Sequence, residues 1–276
     1  MKSNNKKKVQ KGMCIKTSGI KLYGHYFSMH LKSSMQYKAS FLMTCIGQFL
    51  VSFNVFLGVF FMFQRFHKVD KFSYEDALLC FGIFLMSFSL AECFFRGFDS
   101  FSSIIRNGEF DRIMVRPRNN ILQVLGSRIE FTRIGRILQS IVMLTYAIIK
   151  RPLDWNVGKV LTVIAMILGG AVIFSGLFLI YASLCFFTLE GLEFMNIFTD
   201  GAREFGKYPI NIYGKRIFQL CTFIIPYTLV QFYPLLYLLD KGKWWYSLMP
   251  LMACLFIIPC LVLWRIGVRH YQSNGS

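Results

Sequence analysis

Residues 39–63 read ASFLMTCIGQFLVSFNVFLGVFFMF, a run without a single charged side chain. A membrane helix needs roughly 20 mostly apolar residues, so this stretch alone is long enough to span a bilayer. Five further apolar runs follow, at 77–95, 134–149, 160–189, 217–239 and 245–264. Of the 276 residues 55% are hydrophobic, 30 are Phe and only 16% are charged, against about 25% charged in soluble domains. The chain is expected to be an all-α membrane protein with six transmembrane helices. The third run is short alone and is expected to begin as a helix near Ile121 and enter the bilayer on a slant. The fifth holds Pro226 and Pro234 and the sixth Pro250 and Pro259, so kinks are expected where neighbours resatisfy the freed carbonyls.

The basic residues fix the orientation. The 38 residues before the first run hold 9 Lys and no acid, the 94–136 gap holds 8 Arg, the 190–216 gap 4 Lys or Arg, and the tail after Trp264 2. The other three gaps hold 3, 3 and 2. The positive-inside rule then places both termini in the cytoplasm. Residues 1–19 read as a basic cytosolic tail, 20–269 as the membrane domain and 270–276 as a short C-terminal tail. Ile20 to Lys38 mixes apolar and basic residues in the manner of an interfacial amphipathic helix. Lys2, Lys6, Lys7, Lys8 and Lys11 before it would be drawn to anionic membrane lipids. No long apolar core with a small-residue cleavage site precedes the first run, so a removable signal peptide is not expected.

The net charge of +17 is spread through the gaps, without aromatic or zinc-finger signatures of nucleic-acid binding. Eight Cys are scattered without a Cys-x-x-Cys pair, which favours buried small hydrophobes over disulfides or metal ligands. His25, His30, His67 and His270 all lie outside the runs, so no metal site is expected. Within the runs Glu92 and Arg136 are the ionisable residues, both near the cytoplasmic boundary. A gradient-driven carrier would be expected to hold a charge near the midplane, and an intramembrane enzyme a nucleophile with its base. Neither pattern is visible. Gly201 to Lys207 has the spacing of a phosphate loop, but Tyr208 replaces the Ser or Thr that would hold magnesium. Ser40, Thr44, Gln48 and Ser52 recur every four residues along the first run; such a stripe faces an aqueous path or hydrogen-bonds a neighbouring helix. In the fourth run Ala165, Gly169, Gly170, Ala171 and Ser175-Gly176 suit close helix packing.

The basic gap after the second run carries the most local structure. Phe94, Phe98, Phe101 and Ile105 fall at helical spacing and form an apolar stripe. Asn107-Gly108 reads as a helix stop, since Gly takes the left-handed conformation. Glu109 to Val115 reads as a second short amphipathic helix, which Pro117 ends. Such a helix either presses into a partner's groove or lies on lipid headgroups.

The stretch Gly108-Glu109-Phe110-Asp111-Arg112-Ile113-Met114-Val115-Arg116-Pro117 resembles the Gly-Glu-Phe-Asp-x-x-Met-x-Arg-Pro kind of motif found in one branch of the ABC-2 type permeases. Lys207-Tyr208-Pro209-Ile210-Asn211-Ile212-Tyr213, with Ile225-Pro226 and Tyr233-Pro234 after it, is similar to the same branch. The resemblance implies an ATP-driven exporter of two permeases, identical or related, and two copies of a separate cytosolic ATPase. ATP and Mg would bind the ATPase, leaving no cofactor and no catalytic residue in this chain. It implies an elbow helix at Ile20 to Lys38. It also implies a cytosolic coupling helix in which Glu109, Phe110, Asp111, Arg112, Ile113, Met114 and Arg116 dock the ATPase. The stripe of Phe94, Phe98, Phe101 and Ile105 would transmit the push. The expected location is a bacterial plasma membrane, and the expected substrate is amphipathic or hydrophobic, given a Phe-rich interior. Relatives often place re-entrant helices between the last two spans; Asp240 to Ser247 is too short for them, so they would have to come from the segment after Pro226. The competing readings are a gradient-driven carrier, a non-ABC membrane scaffold and an intramembrane enzyme.

Overall fold

In the computed structural model, residues 19–66, 72–150, 154–188 and 193–272 are described. The basic tail at 1–18 and its five lysines, and the last residues 273–276, lie outside them. The described residues fold into helices: α1 (Gly19–Ser34), α2 (Lys38–Phe66), α3 (Tyr74–Asp99), α4 (Phe101–Arg106), α5 (Glu109–Val115), α6 (Asn120–Leu125) and α7 (Ile134–Lys150). They continue with α8 (Val157–Thr188), α9 (Asn196–Phe205), α10 (Lys215–Phe223), α11 (Tyr227–Val230), α12 (Phe232–Leu238), α13 (Met249–Ala253) and α14 (Ile257–His270). Five helical stretches are long and apolar enough to cross a membrane, or six if the bent pair at 215–238 is one span.

Several stretches extend well past the apolar runs. α1 passes into α2 through one 3-10 turn, Met35–Tyr37, giving a 45-residue helical run from Lys21 to Arg65. At 1.5 Å per residue that is about 67 Å, over twice a hydrocarbon core of about 30 Å. The α1 half packs on protein: Tyr23 donates to the Phe94 carbonyl at 2.9 Å, His30 donates to the Gly126 carbonyl at 2.9 Å, and Phe27 meets Phe131 edge-on at 4.8 Å. α3 and α4 together run 33 residues, from Tyr74 to Arg106. Phe94 to Arg106 therefore continues the second span, where the sequence reading placed a loop. The capping box of Ser73 and Asp76 starts this rod, satisfying two free backbone donors.

The third apolar run also differs from expectation. A helix beginning near Ile121 does not continue into the span: α6 ends at Gly126, and the chain turns through Phe131–Arg133 before α7 begins. The ring of Tyr26 packs where a Cβ on Gly126 would stand, which ties this break to α1.

α8 is the central helix, packed against α3 and α14. A Cβ on Gly170 would stand 2.6 Å from the Ser87 hydroxyl oxygen, so only glycine admits this approach of α8 to α3. Rings fill the interface: Phe84, Phe88 and Phe174 interlock with centroids 5.1 to 5.5 Å apart, each such pair adding about 0.5–1.5 kcal/mol. Pro259 cannot donate to the Leu255 carbonyl, and the helix tightens to 3-10 geometry at Cys254–Phe256 just before it.

The fifth apolar run is not one kinked helix. Lys215–Phe223 and Tyr227–Leu238 meet at 83° about Pro226, and Phe218 of the first arm contacts Phe232 of the second at 5.3 Å. Beside them α9, in the gap read as a cytosolic loop, lies against the bundle. Its first residues adjoin Arg96 and Asp99 at one end of α3. Arg203 stands over the Phe88 ring at 5.4 Å. Tyr208 then donates to the Met62 sulfur at 3.0 Å and lies 6.3 Å from Phe63, at the opposite end. Residues 193–208 thus travel the length of the bundle.

Candidate functional site

α5 projects from the end of the bundle where α3, α8 and α14 converge. Gly108 has φ 66°, a left-handed conformation open to glycine at little cost, and this reverses the chain between α4 and α5. On the resulting seven-residue helix Phe110 is 0% exposed. It is ringed by Phe101 at 5.3 Å, Phe186 at 5.1 Å, Tyr271 at 5.0 Å and Trp264 at 6.4 Å. These rings belong to α4, the end of α8, and the last turn of α14 with the residue after it. One side chain of α5 therefore touches the ends of three membrane-length helices.

The opposite face of α5 is open. Glu109, Arg112, Met114 and Arg116 are exposed, and Val115 at the tip is 85% exposed. Glu109 and Arg112 lie 4.0 Å apart. Ile113 is half-buried, and its carbonyl accepts from Gln123 at 3.1 Å; the same amide donates to the Arg118 carbonyl at 3.2 Å. That bond pair fastens the back of the segment to α6. Asp111 is half-buried beside Tyr271, whose phenol is pushed up to about 12 by burial first and the Asp111 carboxylate second. Of the seven residues expected to form a docking face, Phe110 thus points inward and presents no surface to a partner. A ring of that size gains more inside an aromatic cage than at a polar rim. Val115, which the motif leaves unspecified, takes the outermost position.

The apolar stripe divides between two neighbours. Phe94 stacks on Phe27 of α1 at 6.2 Å, while Phe98 and Phe101 pack on Trp264 at 5.7 and 5.2 Å, and Ile105 is buried.

A second cluster sits one helical segment away. Glu92 is 2% exposed and faces three arginines: Arg136 at 2.5 Å, Arg96 at 3.1 Å and Arg133 at 3.4 Å. Arg96 also reaches Asp99 at 3.1 Å, and Arg133 reaches Glu130 at 3.0 Å and the Gln48 side chain at 3.3 Å. The sequence singled out Glu92 and Arg136; the others came from stretches read as loop, and their approach is a property of the fold. The network joins α2, α3 and α7.

The polar stripe of α2 lines no cavity of the described chain. Ser40 and Thr44 are exposed, Thr44 donating to the Ser40 carbonyl at 2.8 Å; Gln48 accepts from Arg133 and Ser52 is buried. The residues with phosphate-loop spacing lie in and after α9, where Lys207 pairs with Glu204. A helix does not offer the cradle of backbone amides that a phosphate needs.

Sequence reasoning missed Asp200, Arg203, Glu204 and Lys207. They lie on or just after a helix running alongside α3, where a hydropathy window sees only charge. Their signal was the periodicity of Ile197, Phe198, Ala202 and Phe205 between them. Among the described residues no group of three or more His, Cys, Asp or Glu is placed to hold a metal ion.

A family model described as "ABC-2 family transporter protein" matches residues 49–275. No curated protein and no solved structure matches the chain.

Proposed function

The chain belongs to the ABC-2 family of transporters, and on that premise we propose that it is the membrane-spanning permease subunit of an ATP-driven exporter. It crosses a bacterial plasma membrane six times with both termini in the cytoplasm, and α1 serves as the elbow. The fifth crossing is 193–213, and the two arms at 215–238 form a hairpin that enters from the outer side and returns. A second permease, identical or related, completes the path. Two copies of a separate ATPase bind ATP and Mg and supply the work.

The observation that carries this reading is α5, which has its inner side locked to α4, α8 and α14 through Phe110 and its outer side bare. Packed elements move as units rather than deforming smoothly. An ATPase that closes on ATP would press Glu109, Arg112, Met114, Val115 and Arg116. Phe110 would pass the displacement to three spanning helices at once, with Phe98, Phe101 and Ile105 in the same packed block. The test is retention of the ATPase during purification of Val115→Asp and Arg112→Glu. Loss of the partner is expected, and full retention in both variants would sink docking through this segment.

One observation favours a gradient-driven carrier instead: the charges of α9 lie alongside the middle of α3, where coupling ions bind in such proteins. Transport that stops on ATP depletion and survives collapse of the proton and sodium gradients decides for the exporter.

A further inference from the structure

The face of α9 that carries charge is the feature the exporter reading does not explain. Thr199 and Ala202 are buried against the bundle, whereas the side chains of Asp200 and Glu204 are 54% and 47% exposed. Arg203 lies between them, 3.7 Å from Asp200 and 3.3 Å from Glu204, and Lys207 pairs with Glu204 one turn on. These residues stand level with the middle and outer half of α3: Arg203 covers Phe88, and Phe84 packs where a Cβ on Gly206 would stand. Lys and Arg side chains can stretch to an interface from such a depth, but Asp and Glu are too short to do so. Carboxylates half exposed at membrane depth are stable only where the exposure is to water. This face of α9 therefore borders a hydrated space rather than hydrocarbon.

The neighbouring side of the same helix is of opposite character. Between α9 and the hairpin lies an apolar cavity of about 190 Å³, bordered by Phe84, Phe198, Ala202, Phe205, Leu220 and Tyr227. Phe205 and Leu220 at its edge are part-exposed, so the cavity opens beside the charges. Tyr227 donates to the Phe198 carbonyl at 2.5 Å, and Gln231 donates to the carbonyls of Gly206 and Tyr208 at 2.8 and 3.2 Å. The hairpin thereby fixes the width of the slot.

We propose that α9 lines the translocation path and recognises an amphiphile with a zwitterionic head. Asp200 and Glu204 receive its cationic group, Arg203 and Lys207 its anionic group, and the slot beneath the hairpin takes its apolar chain. Paired charges of both signs within one turn match a head that carries both signs, and a purely apolar solute would leave them without compensation. This rests on the permease reading and narrows its substrate from amphipathic molecules in general to zwitterionic ones.

The experiment uses the full chain co-expressed with its ATPase and reconstituted in vesicles. Asp200→Cys and Glu204→Cys are treated with a charged methanethiosulfonate, alongside Leu255→Cys, an exposed apolar position on the last span. The unsubstituted chain gives the background of the eight native cysteines. Labelling at Asp200 and Glu204 at least tenfold faster than at Leu255 is expected. Equal rates mean that lipid or a second copy seals the face, and they overturn the proposal. ATP hydrolysis is then measured with an alkyl phosphocholine and an alkyl maltoside of equal chain length. Stimulation severalfold greater by the zwitterion is expected, and it should vanish in the doubly substituted Asp200→Asn, Glu204→Gln chain. Equal stimulation by both, or a zwitterion response unchanged in that chain, rejects the head-group assignment. Retention of the ATPase by each variant separates the outcomes. If the unsubstituted chain retains no ATPase, the permease reading itself fails. If the ATPase is retained while Glu204→Cys stays sealed, only the path assignment falls.

Discussion

Arg136 of α7 donates to Glu92 of α3 at 2.5 Å, and Arg96 and Arg133 close on the same carboxylate from two other sides. The arrangement is asymmetric: one buried acid serves three cations. Removing one partner of a buried pair costs about 3–5 kcal/mol when the other is left uncompensated. Glu92→Ala should reach that range, since it leaves three arginines facing one another. Arg136→Leu should cost less, because Arg96 and Arg133 remain on Glu92. Thermal unfolding in detergent measures both; equal losses would show that the network acts as a single pair.

Stability and docking should separate on α5. Phe110→Ala empties the aromatic cage and should cost about 3–5 kcal/mol. Val115→Asp alters an exposed tip and should stay within about 0.5 kcal/mol while releasing the ATPase. A Val115→Asp chain that unfolds early yet keeps its partner would reverse the assignment of the two faces.

Alkaline pH should act on the same cage. Tyr271 has its phenol raised from 10.0 to about 12, so the neutral form is favoured in the folded state. Its contribution is complete below pH 10 and is lost as pH rises toward 12. Tyr271→Phe should remove this loss. The measurement is the thermal midpoint of both proteins across that window, and identical slopes would exclude Tyr271 as the group responsible.

At the other end of the bundle Lys159 is buried and reaches Asp240 at 2.7 Å, tying the start of α8 to the turn after the hairpin. Asp240→Asn should leave an uncompensated cation and loosen the second arm. Hydrogen exchange at 227–239 should then accelerate relative to the rest of the chain. Unchanged protection there would show that Phe218, Phe232 and their neighbours hold the hairpin without the ion pair.

The re-entrant path has its own test. Glu193→Cys should react with an impermeant thiol reagent from the cytoplasmic side and Lys215→Cys from outside. Reaction of both from one side would return 217–239 to the role of a single kinked span.

Much of the bundle is legible in the sequence because α2 and α8 are apolar around their whole circumference, which any hydropathy window detects. The Asn107-Gly108 stop is legible too, because Gly108 takes the φ of 66° that glycine favours. α9 is not, since Asp200, Arg203, Glu204 and Lys207 dominate any average over it, while its packing depends on Thr199, Ala202 and Gly206 meeting α3. The hairpin misleads in the opposite sense: both arms are apolar, and a sum over 217–239 cannot distinguish one straight crossing from two arms at 83°. Phe110 shows a third limit. A short helix offers a motif, but which side of it meets the protein is decided by Phe186, Trp264 and Tyr271, far away in the chain.

The unbroken rod from Tyr74 to Arg106 has a mechanical corollary. Its clamp at Glu92 stands about 21 Å from one tip and about 27 Å from the other at 1.5 Å per residue. Glu92 is thus the fulcrum of a nearly balanced see-saw: any tilt forced on the cytoplasmic tip reappears at the far tip with similar amplitude and opposite sign.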